Sequence, residues 1–151
     1  MKKMEVSEES ELDMVAQFAL DQFSKAPAAG AQVLGLRGEL GAGKTAFVKA
    51  LARRLGVAED VTSPTFVIMK FYECGEGQEK KTPFDTLVHI DAYRVESPDE
   101  MRVLHFEDVQ KEPRTLICIE WAERVEPLLP DSTMYMDFSM RSDGTREIIF
   151  S

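Results

Sequence analysis

The chain has 151 residues, 44% of them apolar, and carries a formal net charge of −9. A chain of this length hides roughly 68–70% of its unfolded surface, which predicts one core and a single domain over residues 1–151. The negative charge argues against unaided binding of DNA or RNA, because that binding needs many Lys and Arg side chains near phosphates. It leaves a phosphate-bearing ligand possible, because salt screens exposed charges beyond about 10 Å.

The sequence also predicts a cellular compartment. No run approaches the roughly 20 apolar residues of a membrane span, and the first residues turn polar too soon for a signal peptide. We therefore expect a cytoplasmic protein that does not enter a membrane. The two cysteines, Cys74 and Cys118, are far apart and form no C-x-x-C site, so we expect free thiols.

The first part of the chain predicts a helix, a strand and a second helix. Residues 7–25 place apolar side chains at helical spacing, with Ser7 as the N-cap. After a break, residues 32–36 predict a short strand that runs into a glycine-rich loop. Residues 45–55 predict the next helix, which should end at Gly56.

The rest of the chain predicts five further strands and one short helix. The strands are expected at residues 66–72, 87–91, 116–120, 133–138 and 146–150, the last after an Asp143-Gly144 turn. The helix is expected at residues 98–104, opened by Ser97, and residues 73–85 are expected to form an exposed hairpin connection. Strands mixed with helices predict an α/β fold whose sheet is mixed, partly antiparallel and covered on both faces.

The glycine-rich loop at residues 38–45, Gly-Glu-Leu-Gly-Ala-Gly-Lys-Thr, matches the pattern G-x-x-x-x-G-K-[ST]. Its glycines let backbone N–H groups converge on phosphate oxygens, Lys44 supplies a cation for the outer phosphates, and Thr45 offers a hydroxyl to magnesium. The following helix adds the N–H groups and the positive dipole end of its N-terminus. The predicted nucleotide contacts in the loop are Glu39, Leu40, Gly41, Ala42, Gly43, Lys44, Thr45 and Ala46. A merely flexible loop is the alternative, but the flanking strand and helix favour a nucleoside triphosphate site in a P-loop NTPase-like three-layer sandwich.

Two apolar runs each end in an acidic residue, Asp91 in one run and Glu120 in the other. A magnesium nucleotide needs carboxylates at strand ends, so we predict that at least one of these residues binds magnesium directly or supports a ligand of it. The alternative is that each buried strand simply ends at a solvated acid. The sequence does not decide which carboxylate is the direct ligand.

Four further side chains are open to two interpretations. Thr65, within Ser-Pro-Thr at residues 63–65, either approaches the terminal phosphate and magnesium or belongs to a rigid turn that enters a strand. Trp121 either stacks on a base or a partner, or packs as a partly buried side chain. His89 and His105 have no ligand-spaced companions, so we expect them to pack or hydrogen-bond rather than catalyse.

Four motifs together resemble the TsaE family of bacterial ATPases, whose older name is YjeE. They are the loop at 38–45, Ser-Pro-Thr-Phe at 63–66, His-Ile-Asp-Ala-Tyr-Arg at 89–94 followed by Ser-Pro-Asp-Glu at 97–100, and Ile-Glu-Trp at 119–121. The resemblance spans nearly the whole chain. Two departures are a connection at 73–85 that is longer than the family usually has, and the absence at 104–107 of the glycine expected after the acidic helix.

The resemblance implies a catalytic role for the loop and the carboxylates. Lys44 and the loop amides would bind the phosphates of ATP, and Thr45 and Glu120 would hold magnesium. Asp91 would be the Walker-B-like acid near the attacking water, and it is also a candidate magnesium ligand.

The resemblance further implies positions for residues around the nucleotide. Thr65 would belong to a nucleotide-sensing switch in the catalytic set, and Trp121 would lie beside the nucleotide. The start of the first helix, around Glu9 and Ser10, would approach the adenine.

The resemblance also implies a partner. The family works with TsaB and TsaD, the pair that transfers a threonylcarbamoyl group to adenosine 37 of tRNAs that read codons beginning with A. ATP hydrolysis by the small partner supports turnover of that pair. The TsaB–TsaD pair, rather than this acidic chain, would therefore hold the tRNA, in agreement with the net charge.

Three other functions share the loop. A small-molecule kinase usually adds a mobile, arginine-bearing lid, and no arginine-rich insertion occurs in this sequence. A GTPase would carry N-K-x-D and D-x-x-G, and neither pattern occurs. An assembly module that binds ATP with little turnover stays open, because the loop encodes binding whereas the rate depends on how water is positioned.

Overall fold

The computed structural model describes residues 1–23, 29–62, 68–75 and 84–151. In chain order its strands and helices are β1 (Lys2–Val6), α1 (Leu12–Phe23), β2 (Gln32–Gly38), α2 (Lys44–Arg54), β3 (Met69–Glu73), β4 (Thr86–Asp91), α3 (Glu100–Val103), α4 (Phe106–Gln110), β5 (Thr115–Glu120), β6 (Met134–Met140) and β7 (Arg146–Phe150). Single 3₁₀ turns lie at Glu9–Glu11, Ala122–Arg124 and Glu126–Leu128. The glycine-rich loop joins β2 to α2, as the sequence predicts.

The described residues form a seven-stranded sheet with the strand order β1-β7-β6-β2-β5-β4-β3. In its centre, β2 is parallel to both β5 and β6, and β4 is parallel to β5. The outer pairs, β1 with β7, β6 with β7 and β3 with β4, are antiparallel. The predicted mixed, partly antiparallel order is confirmed. Because β2, β4 and β5 run in the same direction, their carboxyl ends meet at one edge of the sheet.

Helices cover both faces of this sheet because its central strands are apolar on both sides. Every residue of β5 is buried, and successive side chains point to opposite faces. Leu116 and Cys118 belong to the core on the side of α1 and α2, whereas Ile117 and Ile119 belong to the core on the side of α3 and α4. The fold is therefore the predicted P-loop NTPase-like three-layer α/β sandwich.

The beginning of the chain differs from the prediction. The sequence predicts no strand before the first helix, yet β1 pairs with β7 along the edge of the sheet. Only Val6 of this strand is buried, so β1 lacks the apolar alternation that would reveal it. The N-cap prediction at Ser7 is also wrong, because a 3₁₀ turn over Glu9–Glu11 precedes α1. The Glu11 carboxylate accepts hydrogen bonds from the backbone N–H groups of Ser7 (3.3 Å) and Glu8 (3.1 Å).

The later strands lie at the predicted places: β7 has the predicted ends, and β3 to β6 differ from the prediction at one or both ends. Residues 66–67 of the strand predicted at residues 66–72 lie outside the described residues. Gly56 follows α2 with a φ of 77°, the left-handed conformation that ends many helices, as predicted. The Asp143-Gly144 turn joins β6 to β7, also as predicted. The predicted connection at 73–85 joins the antiparallel strands β3 and β4, and residues 76–83 of it lie outside the described residues.

The segment between β4 and β5 contains two short helices where one is predicted. α3 is shorter than expected, and the Ser97 hydroxyl accepts a hydrogen bond from the Asp99 N–H just before it (3.3 Å). His105 joins α3 to the unpredicted α4 with a left-handed φ of 58°. Its side chain is 81% exposed and its Nδ1 atom lies 3.7 Å from an Asp108 carboxylate oxygen, so of the two expected roles it does not take that of a packed side chain.

Neither Cys74, which is partly buried, nor Cys118, which is buried, forms a disulfide, as predicted. Burial raises the pKa of the Cys118 thiol well above its usual value. None of the described helices is long and apolar enough to cross a membrane.

Candidate active site

The glycine-rich loop folds tightly between β2 and α2. Gly38 and Gly43 have φ values of 139° and 105°, in a region that residues with a side chain rarely adopt. A Cβ atom on Gly38 would lie 2.3 Å from the carbonyl oxygen of Phe138 on β6, so a larger residue could not occupy this position. The loop backbone thereby wraps the N-terminus of α2, where unpaired N–H groups and the helix dipole favour an anion.

Lys44, the first residue of α2, is held by the loop itself. Its ammonium group donates hydrogen bonds to the carbonyl oxygens of Gly38 (2.5 Å) and Glu39 (2.8 Å) and lies 4.3 Å from the centroid of the Trp121 ring. Lys44 is 5% exposed. Burial lowers the pKa of Lys44, and the negative charge of Glu120 acts in the opposite direction. An anionic phosphate would be a stronger partner for this cation than the two neutral carbonyls.

Asp91 and Glu120 occupy the ends of the neighbouring parallel strands β4 and β5 and are directly paired in register. Both are almost fully buried. One Glu120 oxygen, Oε1, accepts a hydrogen bond from the Thr45 hydroxyl (2.8 Å). Asp91 Oδ1 accepts one from the backbone N–H of Tyr93 (2.9 Å). The strand register therefore places the two carboxylates side by side, with Glu120 hydrogen-bonded to the hydroxyl that follows Lys44.

His89 lies on β4, two residues before Asp91, and is completely buried. Its Nε2 atom is 2.6 Å from Oε2 of Glu120. With Glu120 as a carboxylate, which only accepts hydrogen bonds, the imidazole takes the tautomer that donates through Nε2–H. The expectation that His89 hydrogen-bonds is confirmed, and its partner is one of the candidate site residues.

A cavity of about 280 Å³ opens above these groups. Its lining consists of Leu40, Gly41, Gly43, Lys44, Thr45, Ala46, Asp91, Tyr93, Glu120 and Trp121. The rings of Tyr93 and Trp121 contact each other with centroids 5.0 Å apart and form one wall. Trp121 has a left-handed φ of 59°, so the chain turns sharply where β5 ends.

The donor atoms in this cavity fit a magnesium ion. Mg²⁺ prefers oxygen ligands and, beside a nucleotide, usually takes one or two carboxylates together with phosphate oxygens and water. Thr45, Glu120 and Asp91 supply a hydroxyl and two carboxylates beside the cation of Lys44. In the described ranges, no three His, Cys, Asp or Glu side chains are grouped as in a metal site built from protein alone.

A smaller cavity of about 100 Å³ is lined in part by Glu9, Gly144 and Arg146. The Arg146 side chain also borders the loop, since a Cβ atom on Gly43 would lie 3.1 Å from its Cδ atom. Glu9 therefore faces a cavity next to the loop, whereas Ser10 does not line it.

The structure brings together most of the residues that the sequence singles out. Of the predicted loop contacts, Glu39 and Ala42 do not line the larger cavity: Glu39 contributes its carbonyl oxygen to Lys44, and Ala42 is buried. Thr65 lies outside the described residues. The sequence assigned no role to Tyr93 or Arg146, although Tyr93 follows Asp91 by two residues and could have been suspected for that reason.

The family model for the threonylcarbamoyl adenosine biosynthesis protein TsaE matches residues 6–148. The chain belongs to the TsaE family. Among curated relatives, the TsaE protein of Treponema pallidum is 40% identical over 120 residues, which cover 77% of this chain and 78% of the relative. The TsaE protein of Bacillus subtilis is 35% identical over 133 residues, which cover 88% of this chain and 77% of the relative.

A solved structure supports the same conclusion for the fold. The crystal structure of Bacillus subtilis YdiB superposes with a TM-score of 0.69 at 27% sequence identity, covering 99% of this chain and 83% of that chain. The likeness extends over nearly the whole TsaE-family chain. It therefore includes β1 and the β6–β7 hairpin, which contain none of the four motifs.

Proposed function

We propose that this TsaE-family chain is a magnesium-dependent ATPase that supports threonylcarbamoyladenosine modification of tRNA together with the TsaB–TsaD pair. The observation that carries the proposal is the convergence of Lys44, Thr45, Asp91 and Glu120 around one cavity at the carboxyl edge of the sheet. A cation, a hydroxyl and two carboxylates beside a phosphate-binding loop are the groups that nucleotide hydrolysis requires.

The loop and Lys44 bind the phosphates of ATP in this proposal. The ammonium group of Lys44 exchanges the carbonyl oxygens of Gly38 and Glu39 for phosphate oxygens, which are charged and therefore stronger acceptors. The N-terminus of α2 stabilises the same negative charge. The smaller cavity beside Arg146 and Glu9 receives the adenine end of the nucleotide.

The hydroxyl of Thr45 and the carboxylate of Glu120 hold magnesium, with Asp91 next to them. Bound Mg²⁺ would neutralise charge on the phosphates and orient the terminal one. Asp91 orients the attacking water, because its carboxylate lines the cavity beside Glu120 and its Oδ1 is fixed by the Tyr93 N–H. Thr65 takes part as a switch that senses the nucleotide.

The acidic surface of the chain determines how it serves tRNA. A net charge of −9 disfavours direct contact with an RNA backbone. The TsaB–TsaD pair therefore holds the tRNA in the cytoplasm, and this chain acts on the pair through ATP binding and hydrolysis.

The proposal is tested by measuring phosphate release from ATP with the chain alone and with the TsaB–TsaD pair. We expect slow hydrolysis alone, faster hydrolysis with the pair, and dependence on magnesium in both cases. Glu120→Ala should suppress hydrolysis in both mixtures, whereas Glu112→Ala, an exposed carboxylate outside the cavity, should not.

Each contrary outcome identifies a different error. ATP binding without hydrolysis in either mixture would make the chain an assembly module. Full turnover without the pair would contradict the partner assignment. Transfer of phosphate to a nucleoside would show a kinase.

A further inference from the structure

His89 has one polar contact among the described residues, and that contact is to a site carboxylate. The imidazole is 0% exposed, and its Nε2 atom lies 2.6 Å from Oε2 of Glu120. Its other nitrogen, Nδ1, has no hydrogen-bond partner in the described part of the chain. The ring therefore does not belong to a wider polar network within those residues.

Packing alone does not explain a histidine at this position. The neighbouring residues of β4, Val88 and Ile90, are fully buried and apolar. An apolar side chain at position 89 would fill the space without burying a polar nitrogen that lacks a partner, which is unfavourable. What the imidazole adds over such a side chain is its hydrogen bond to Glu120.

Each oxygen of the Glu120 carboxylate accepts a hydrogen bond, one from a residue that lines the cavity and one from a residue that does not. Oε1 accepts from the hydroxyl of Thr45, which lines the cavity, and Oε2 accepts from His89, which does not. The Thr45 hydroxyl lies on the magnesium side of the carboxylate, so magnesium bound at Oε1 would share that oxygen with it. The contact with His89 comes from within the sheet and can persist while the other oxygen binds the ion.

We propose that His89 is a positioning residue that holds the Glu120 carboxylate in the orientation needed to bind the divalent cation. This inference rests on the proposed ATPase function. Hydrogen-bond partners of metal ligands commonly have this effect, and their loss typically weakens metal affinity or activity about 10- to 100-fold.

The test compares His89→Gln with His89→Met. The two replacement side chains have nearly the same shape, but only glutamine carries an amide N–H that can donate to Glu120. His105→Met, at an exposed histidine, is the control for the substitution itself. The readouts are the affinity for a fluorescent ATP analogue in EDTA, the magnesium concentration that produces half of the magnesium-dependent change, and the melting temperature.

We expect all three variants to bind the analogue in EDTA as the wild type does. His89→Met should need about 10- to 100-fold more magnesium, His89→Gln should recover most of that loss, and His105→Met should need as much magnesium as the wild type. The inference is overturned if His89→Met needs as much magnesium as the wild type, or if the Gln and Met variants lose magnesium affinity and thermal stability to the same extent.

Failure of the proposed function would give a different result. In that case the wild-type chain itself would show no magnesium-dependent change, which would overturn both proposals. If His89→Met does not fold, His89→Gln decides the matter alone. A folded Gln variant with nearly wild-type magnesium affinity supports the inference, and one that needs more than about tenfold more magnesium overturns it.

Discussion

Replacement of Lys44 by alanine should weaken ATP binding, and two features of the structure bear on the size of the loss in affinity. A hydrogen bond that involves a charged group contributes about 1.5–3 kcal/mol, which corresponds to roughly 10- to 150-fold in affinity. The full strength of a new phosphate contact is not gained, because Lys44 first gives up its bonds to Gly38 and Glu39. Burial also lowers the pKa of Lys44, so the site holds this cation at a cost that a bound phosphate relieves.

The measurement is a titration with a fluorescent ATP analogue in the presence of magnesium. Lys49→Ala is the matched control, because Lys49 lies on the same helix but is exposed and does not line the larger cavity. We expect Lys44→Ala to bind about 10- to 150-fold more weakly and Lys49→Ala to bind as the wild type does. Affinities of Lys44→Ala and wild type within about twofold of each other would refute the reasoning, since that ratio is only about 0.4 kcal/mol.

The other predictions concern the carboxylates and three backbone positions. Glu120→Ala and Asp91→Ala should each slow ATP hydrolysis at least about tenfold in a phosphate-release assay while the protein still binds the analogue, and undiminished turnover in both would contradict the metal assignment. Gly38→Ala should lower the free energy of unfolding in urea by more than about 2 kcal/mol, because strain and a clash add together. Gly41→Ala, with a φ of 80° and open space around its Cβ position, should cost only about 1–2 kcal/mol, and equal losses would contradict the clash at Gly38. His105→Gly should raise the free energy of unfolding by about 0.5–1 kcal/mol because glycine relieves the left-handed strain at a φ of 58°, and a loss of stability would contradict this account.

The loop and the two acidic strand ends were predictable because each depends on local sequence. A glycine-rich loop between an apolar strand and a helix needs no distant contact to be identified. Asp91 and Glu120 could be predicted as candidates because each ends an apolar run, but their direct pairing depends on the strand order β5-β4, which is a property of the whole sheet.

Sequence reasoning missed two features, the contact of His89 with Glu120 and the strand β1, and each has a physical reason. A single buried histidine resembles any polar residue in a core, and its contact with Glu120 joins residues 31 positions apart. β1 is an edge strand with exposed charged residues, so the apolar alternation that marks a strand is missing. At His105, by contrast, the sequence did give a signal. The glycine expected at residues 104–107 is absent, and His105 in that stretch has a left-handed backbone conformation.

The most direct test of the central proposal measures threonylcarbamoyl transfer to tRNA over many turnovers. The reaction contains the TsaB–TsaD pair, tRNA, the threonylcarbamoyl donor and ATP, with this chain as wild type, as Lys44→Ala or absent. We predict that repeated turnover of the pair requires the wild-type chain and hydrolysable ATP, and that it stops early with Lys44→Ala. Equal turnover in all three mixtures would contradict the proposed function.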